Sequence, residues 1–286
     1  MKKKILRLAV KSVKFLLNLS KKEFDKITME LFKELFSEEY LTVKDPQKNK
    51  RIEKLNHYSS FTPDRYSHNY ALYKQQTNFL NYEDLQKWFA GNYDNNIGDI
   101  GRFFFLNLCI DCLLEEHISG NVAEIGVYRG NSAFLLAKYA QHPKVNSTCY
   151  LFDTFEGFNS KDIKGIDSEI DKNQFTDTSV EYVKKIVGNS NKIVYVKGYF
   201  PDSLEQVGEI NTFSLVHIDC DLEKPITDSL NYFYPRLKKG GFLIMHDYSS
   251  LYWKGAKHAI DLFFKDKAEL IIPIPDKSGT CVIRKV

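Results

Sequence analysis

Residues 121–133 read Asn-Val-Ala-Glu-Ile-Gly-Val-Tyr-Arg-Gly-Asn-Ser-Ala, and the reading of this stretch decides the fold. The run 121–127 is apolar enough, and short enough, for a buried strand. Gly126 and Gly130 allow the chain to turn tightly and a ligand to approach the backbone. The residues 131–139 then carry a helical pattern. Strand, glycine turn and helix form the opening unit of a layered α/β protein.

The same rhythm continues downstream. The pattern predicts strands over 147–153, 192–198, 212–219 and 242–247. It predicts helices over 101–118, 178–187 and 255–265, and one over 227–237 that stops at Gly240-Gly241. The end of the chain, ELIIPIP-DKSG-TCVIRK, reads as a hairpin around turn residues. Repeated strand–helix units imply a mostly parallel sheet with helices on both faces. A terminal hairpin adds an antiparallel strand at its edge.

Composition narrows the class. Of 286 residues, 43% are hydrophobic and 14% aromatic, which suits a packed globular protein. Forty basic against 37 acidic side chains give a net charge of only +3, so no nucleic-acid partner is indicated. Five cysteines scattered through apolar segments point to reduced thiols and a cytoplasmic setting. Cys109 and Cys112 form CIDC, but no second pair completes a zinc site, and the surrounding FFFLNLCIDCLLEE reads as a core-facing amphipathic helix.

The first 98 residues read as a helical extension, with the main domain spanning 99–286. Arg7, Lys11, Lys14 and Asn18 make one polar stripe on an otherwise apolar helix. Such a helix lies on an anionic membrane surface, giving a peripheral location, or packs on its own protein or a partner subunit. Lysines within the apolar run, and no small-residue cleavage site after it, argue against a signal peptide. The segment 45–54 has linker composition. The tyrosine-rich 57–93 fits an acceptor cap, a homo-oligomer face or ordinary core.

In an open parallel sheet the ligand lies beyond the carboxyl ends of the strands. Those ends carry Glu124 to Gly130, Asp153, Gly198, Asp219 with Asp221, and His246 with Asp247. The first turn is ExGxxxG, not the GxGxxG of a dinucleotide site, which disfavours an NAD-dependent enzyme. An acid there repels phosphate but accepts from an ammonium, as in the methionine part of S-adenosyl-L-methionine. Asp153, ending the next strand, is placed to take both ribose hydroxyls. Asp219 and Asp221 share a face if the strand continues, whereas a turn at Cys220 sends only one inward and leaves Asp221 for helix capping. His217 reads as a packed, hydrogen-bonded histidine.

EIGVYRGNSA, LFDTFEGF, VKGYFPDSL, VHIDCDLEKPITDSL, LKKGGFLIMHDY and WKGAKHAIDLFF occur in an order that resembles the macrocin O-methyltransferase-like family. The resemblance implies a Rossmann-like class I methyltransferase fold, seven-stranded, with its last strand antiparallel. It implies an S-adenosylmethionine-dependent O-methyltransferase acting on a sugar hydroxyl of a glycan or glycosylated metabolite. The cofactor-binding residues would be Glu124, Gly126, Tyr128, Gly130, Asp153, Thr154 and Phe155. Asp219 and His246 would be catalytic, and Asp219, His246 and Asp247 would hold a divalent metal, magnesium or manganese. The family pattern has a carboxylate where His246 stands. That leaves three arrangements: the ring turned away, a softer ion, or no ion with His246 as base. A non-sugar acceptor, or a non-catalytic cofactor- or partner-binding domain, are the other readings. Residues 159–177, polar and turn-rich, occupy the place of a lid.

Overall fold

The computed structural model describes residues 79, 80, 88 and 99–286. The basic helix, the linker and the domain boundary expected before residue 99, with their membrane and oligomer contacts, lie outside the described residues. No helix among the described residues is long and apolar enough to cross a membrane.

The elements, in order, are α1 (Ile100–Glu115), β1 (Asn121–Ile125), α2 (Asn131–Ala140), β2 (Cys149–Asp153), α3 (Val180–Val187) and β3 (Ile193–Lys197). There follow β4 (Phe213–Ile218), α4 (Glu223–Phe233), β5 (Leu237–Met245), α5 (Lys254–Phe264), β6 (Ile272–Pro273) and β7 (Cys281–Arg284). They build a seven-stranded sheet of order β3-β2-β1-β4-β5-β7-β6. β1 pairs in parallel with β2 and β4, and β4 with β5, whereas β7 runs antiparallel to both β5 and β6. The expected mostly parallel sheet with an antiparallel end hairpin is therefore present.

Alternation along the strands divides the core into two layers. Val122 of β1 and Leu215 of β4 face α1 and α2, meeting Phe103, Ile110, Leu135 and Tyr139. Ala123, Ile125, Val216 and Ile218 face α4 and α5, meeting Ile226, Leu230, Phe233 and Ile260. Each fully buried Val, Leu, Ile or Phe among them contributes about 1.5–3 kcal/mol of transfer free energy. β4 is buried at every position, as a central parallel strand covered on both faces must be. α3 starts where Ser179 accepts a hydrogen bond from the Tyr182 amide at 3.0 Å, an N-cap that satisfies one free donor.

One boundary differs from expectation. α4 covers Glu223–Phe233, a short 3-10 turn takes Tyr234–Arg236, and β5 already begins at Leu237. Gly240-Gly241 thus lies inside a strand rather than closing a helix. The β4–β5 register shifts between Phe213 and Leu215, so the glycines serve an irregular strand pairing. Cys109 faces the core and Cys112 is half-buried, both as free thiols, as the helical reading of CIDC required.

Candidate active site

The hydrogen-bond ladder continues past the formal strand ends and sets the expected residues side by side. The Gly198 amide donates to Asp153 O at 2.9 Å and the Gly126 amide to Phe152 O at 3.0 Å. The Asp219 amide donates to Ile125 O at 2.8 Å and the His246 amide to Ile218 O at 2.9 Å. Along this carboxyl edge lies a cavity of about 840 Å³.

Gly126 is forced by the close approach of the chain ends that leave the paired strands β1 and β4. Its φ is +86°, and a Cβ there would sit 1.8 Å from Asp219 O. Gly130, at φ +83°, opens α2 in the left-handed conformation. Asp153 is braced on the β1–α2 turn, where Oδ2 accepts from the Tyr128 amide at 2.8 Å, and on its own loop after β2, where Oδ1 accepts from the Phe155 amide at 2.6 Å. Burial raises its pKa while those amides pull it down. A carboxylate oxygen accepts more than one bond, so both oxygens retain capacity for a pair of hydroxyls.

Gly126, Tyr128, Asp153 and Thr154 line the cavity, but Glu124, Gly130 and Phe155 do not. Glu124 is the notable departure. It is fully buried, on the sheet face opposite to Ile125, directly across from His217 in β4. His217 Nδ1 lies 2.7 Å from its Oε1, and the Ser132 hydroxyl donates to the same oxygen. Burial raises the Glu124 pKa against those two bonds. Period-two alternation explains the placement: at the penultimate strand position the carboxylate points into the helix layer. His217 is the packed, hydrogen-bonded histidine that its strand position suggested.

On the other side of the cavity stand Asp219, His246 and Asp247. His246 Nδ1 is 2.9 Å from Asp219 Oδ1 and 2.8 Å from Asp247 Oδ2. Burial disfavours charge on the His246 ring, but the adjacent Asp219 and Asp247 carboxylates outweigh it and raise its proton affinity. Burial likewise pushes Asp219 up, yet the charges of His246 and Arg102 hold it well below the usual carboxylate range. The chain does turn after Cys220: Asp221 adopts φ +63°, and the Leu222 amide donates to Cys220 O at 2.6 Å. Asp221 still reaches the cavity, and it does not cap α4. Burial and the neighbouring Asp247 and Asp219 charges raise its pKa well above the usual carboxylate value.

Several cavity residues had not been singled out in the sequence. Arg102, in the first turn of α1, places Nη1 2.9 Å from His246 Nε2 and 3.4 Å from Asp219 Oδ2. Its signal was faint: it is the only charged side chain of its helix before Asp111. Phe158, Phe175 and Trp253 form an aromatic cluster on the wall, with centroids 5.4 to 6.0 Å apart. The α4 amide that Asp221 leaves free is capped by Asp167 of the 159–177 segment, whose Oδ2 accepts from Glu223 N at 2.8 Å. The hairpin turn 276–279 also lines the cavity, and Ser278 donates to Asp99 at the start of α1.

A family model described as Macrocin-O-methyltransferase (TylF) matches residues 28–285. The chain belongs to the macrocin-O-methyltransferase family. It is thus an S-adenosylmethionine-dependent O-methyltransferase. It is similar to a Streptomyces olivaceus 8-demethyl-8-(2,3-dimethoxy-alpha-L-rhamnosyl)-tetracenomycin-C 4'-O-methyltransferase, 25% identical over 187 residues, 62% of this chain and 70% of that one. It is also similar to a Streptomyces niveus demethyldecarbamoylnovobiocin O-methyltransferase, 24% identical over 195 residues, 65% of this chain and 72% of that one. Among solved structures, the O-methyltransferase NovP superposes with a TM-score of 0.57 at 23% identity, over 65% of this chain and 80% of that one. The calicheamicin methyltransferase CalS11 does so with 0.52 at 16%, over 84% and 93%; both show the fold.

Among the described residues of this O-methyltransferase, Asp219, His246 and Asp247 form the one cluster of three metal-competent side chains. They do not fit magnesium. Magnesium takes oxygen ligands in an octahedron, and one of the three donors is an imidazole nitrogen. Arg102 Nη1, part of a permanent cation, already stands 2.9 Å from His246 Nε2 and 3.4 Å from Asp219 Oδ2, so a dication at the cluster would meet a like charge.

Proposed function

We propose that this O-methyltransferase methylates a sugar hydroxyl of a glycosylated small molecule. One observation carries the reading: Asp153 and Gly126 line the same cavity as Asp219, His246 and the aromatic wall. Donor and acceptor can therefore meet in one cavity. The relatives support the acceptor class, since one is named for a rhamnosyl substrate. The flat faces of Phe158, Phe175 and Trp253 suit the apolar face of a pyranose ring, and the carboxylates beyond them suit its hydroxyls.

In this reading Gly126 and Tyr128 border the methionine end of the cofactor and Asp153 accepts from its ribose hydroxyls. The protein's task is to align acceptor oxygen, methyl carbon and sulfur, and to exclude water. As the new C–O bond forms and the C–S bond breaks, the attacking hydroxyl becomes a strongly acidic oxonium. A carboxylate of low basicity is then enough to take its proton, and Asp219, held below the usual carboxylate range by His246 and Arg102, faces the cavity. Both His246 nitrogens are engaged, Nε2 with Arg102 and Nδ1 with the carboxylates, so His246 orients Asp219 rather than acting as base. The products are the methyl ether, S-adenosylhomocysteine and a proton.

The test is S-adenosylhomocysteine release against a panel of rhamnosides and other glycosides beside phenols and simple alcohols, with products identified by mass. Products one methylene heavier from glycosides alone support the reading. Turnover confined to non-sugar hydroxyls would replace it.

A further inference from the structure

We infer that Arg102 is the fixed counter-cation of the Asp219–His246–Asp247 cluster, standing where a divalent ion would otherwise act. This rests on the methyl-transfer reading of the same cavity.

Two carboxylates, 18% and 8% exposed, lie against one imidazole at the cavity wall, and negative charges so withdrawn from water require a fixed positive partner. Arg102 supplies it. Nη1 reaches both His246 Nε2 and Asp219 Oδ2, so one guanidinium touches two of the three cluster members. The guanidinium is held in place from behind: it lies 4.8 Å from the Phe103 ring centroid. The beginning of α1 is tied to the far wall, where Asp99 accepts from the Ser278 amide at 2.9 Å and hydroxyl at 2.6 Å. A planar, permanently charged donor of this kind needs no dissociable ion to orient the carboxylate.

The arrangement assigns Arg102 a positioning role. It presents Asp219 Oδ2 at a fixed place and braces His246 at Nε2, while Nδ1 of the same ring lies 2.9 Å from Asp219 Oδ1. The acceptor hydroxyl therefore meets an oriented carboxylate without a metal.

The experiment has two arms. In the first, manganese is titrated into EDTA-dialysed full-length protein and free ion is counted by electron paramagnetic resonance. Wild type should bind none at sub-millimolar concentration. Arg102→Met, which leaves the carboxylates without their cation, should gain one site per chain, and Arg102→Met/Asp219→Asn should lose it. In the second, turnover of whichever glycoside the panel yields is followed with EDTA present. Wild type should be unaffected. Arg102→Met should lose at least about a hundredfold in kcat while calorimetry shows S-adenosylmethionine affinity retained. Arg102→Lys should recover part of the loss.

One manganese bound by wild type and abolished by Asp219→Asn, EDTA-sensitive turnover, or an active Arg102→Met would each overturn the inference. If Arg102→Met does not fold, wild-type manganese binding and the lysine variant decide. If the panel yields no substrate, the sugar reading fails, and the manganese arm still judges Arg102.

Discussion

Asp219 is the residue on which the chemistry turns. Its backbone amide sits in the extended ladder, while its carboxylate is held by His246 and Arg102. Asp219→Asn keeps the shape and removes the charge. It should lower kcat by about 10²–10⁴-fold, the usual worth of a positioned proton acceptor, and leave S-adenosylmethionine affinity unchanged by calorimetry. Equal loss of both would contradict the assignment. Gly126 poses the complementary case, a residue whose missing side chain matters. Gly126→Ala would meet Asp219 O and would adopt a left-handed φ at a cost of order 1–3 kcal/mol. A lower melting temperature together with lost cofactor binding is expected; normal binding would show that the contact between Gly126 and Asp219 relaxes.

At the scale of elements, the 159–177 segment is attached at two points. Asp177 accepts from the Tyr128 hydroxyl at 2.7 Å and pairs with Arg129, on the turn that also carries the Asp153 contact. Asp167 caps α4, and a Cβ on Gly255, at the start of α5, would strike its carboxylate. Between these points Phe158 and Phe175 meet Trp253. Asp167→Ala should cost about 1 kcal/mol, as loss of an N-cap does. It should also raise the acceptor KM more than it lowers kcat, and speed tryptic cleavage within 159–177. Cleavage at the wild-type rate would mean that Asp167 does not secure the segment.

For the whole molecule, the antiparallel hairpin closes the far edge of the sheet. Glu269, almost fully buried before β6, accepts from Lys285 Nζ at 2.6 Å and from the Tyr234 hydroxyl at 2.5 Å. Burial alone would raise its pKa, but these two bonds outweigh it and bring it down from 4.5 to about 2. A depressed carboxyl stabilises the fold above its unfolded pKa, and that contribution fades as pH falls from about 4.5 through 2. The amount is up to about 3 kcal/mol. Thermal melts should therefore fall steeply with acid in wild type. Glu269→Gln should start lower at neutral pH and show a flatter decline; parallel curves would rule the pairing out as an acid-sensitive contact.

Local pattern was enough for the sheet, its terminal hairpin and the row of polar strand ends, because strand and helix periodicity and glycine turns are properties of adjacent residues. The same local reading put Asp153, Asp219, His246 and Asp247 at the cavity, since a carboxyl strand end is defined by where an apolar run stops. It did not reveal that Glu124 turns away toward His217, 93 positions distant, which depends on which sheet face a penultimate residue meets. Nor did it reveal the β5 start at Leu237, where pairing with β4 overrode the helical pattern. Arg102 reaches His246 across 144 positions because α1 packs on the sheet with its first turn over the carboxyl edge. Helix rotation and docking decide such contacts, and neither is written in the spacing of neighbouring residues.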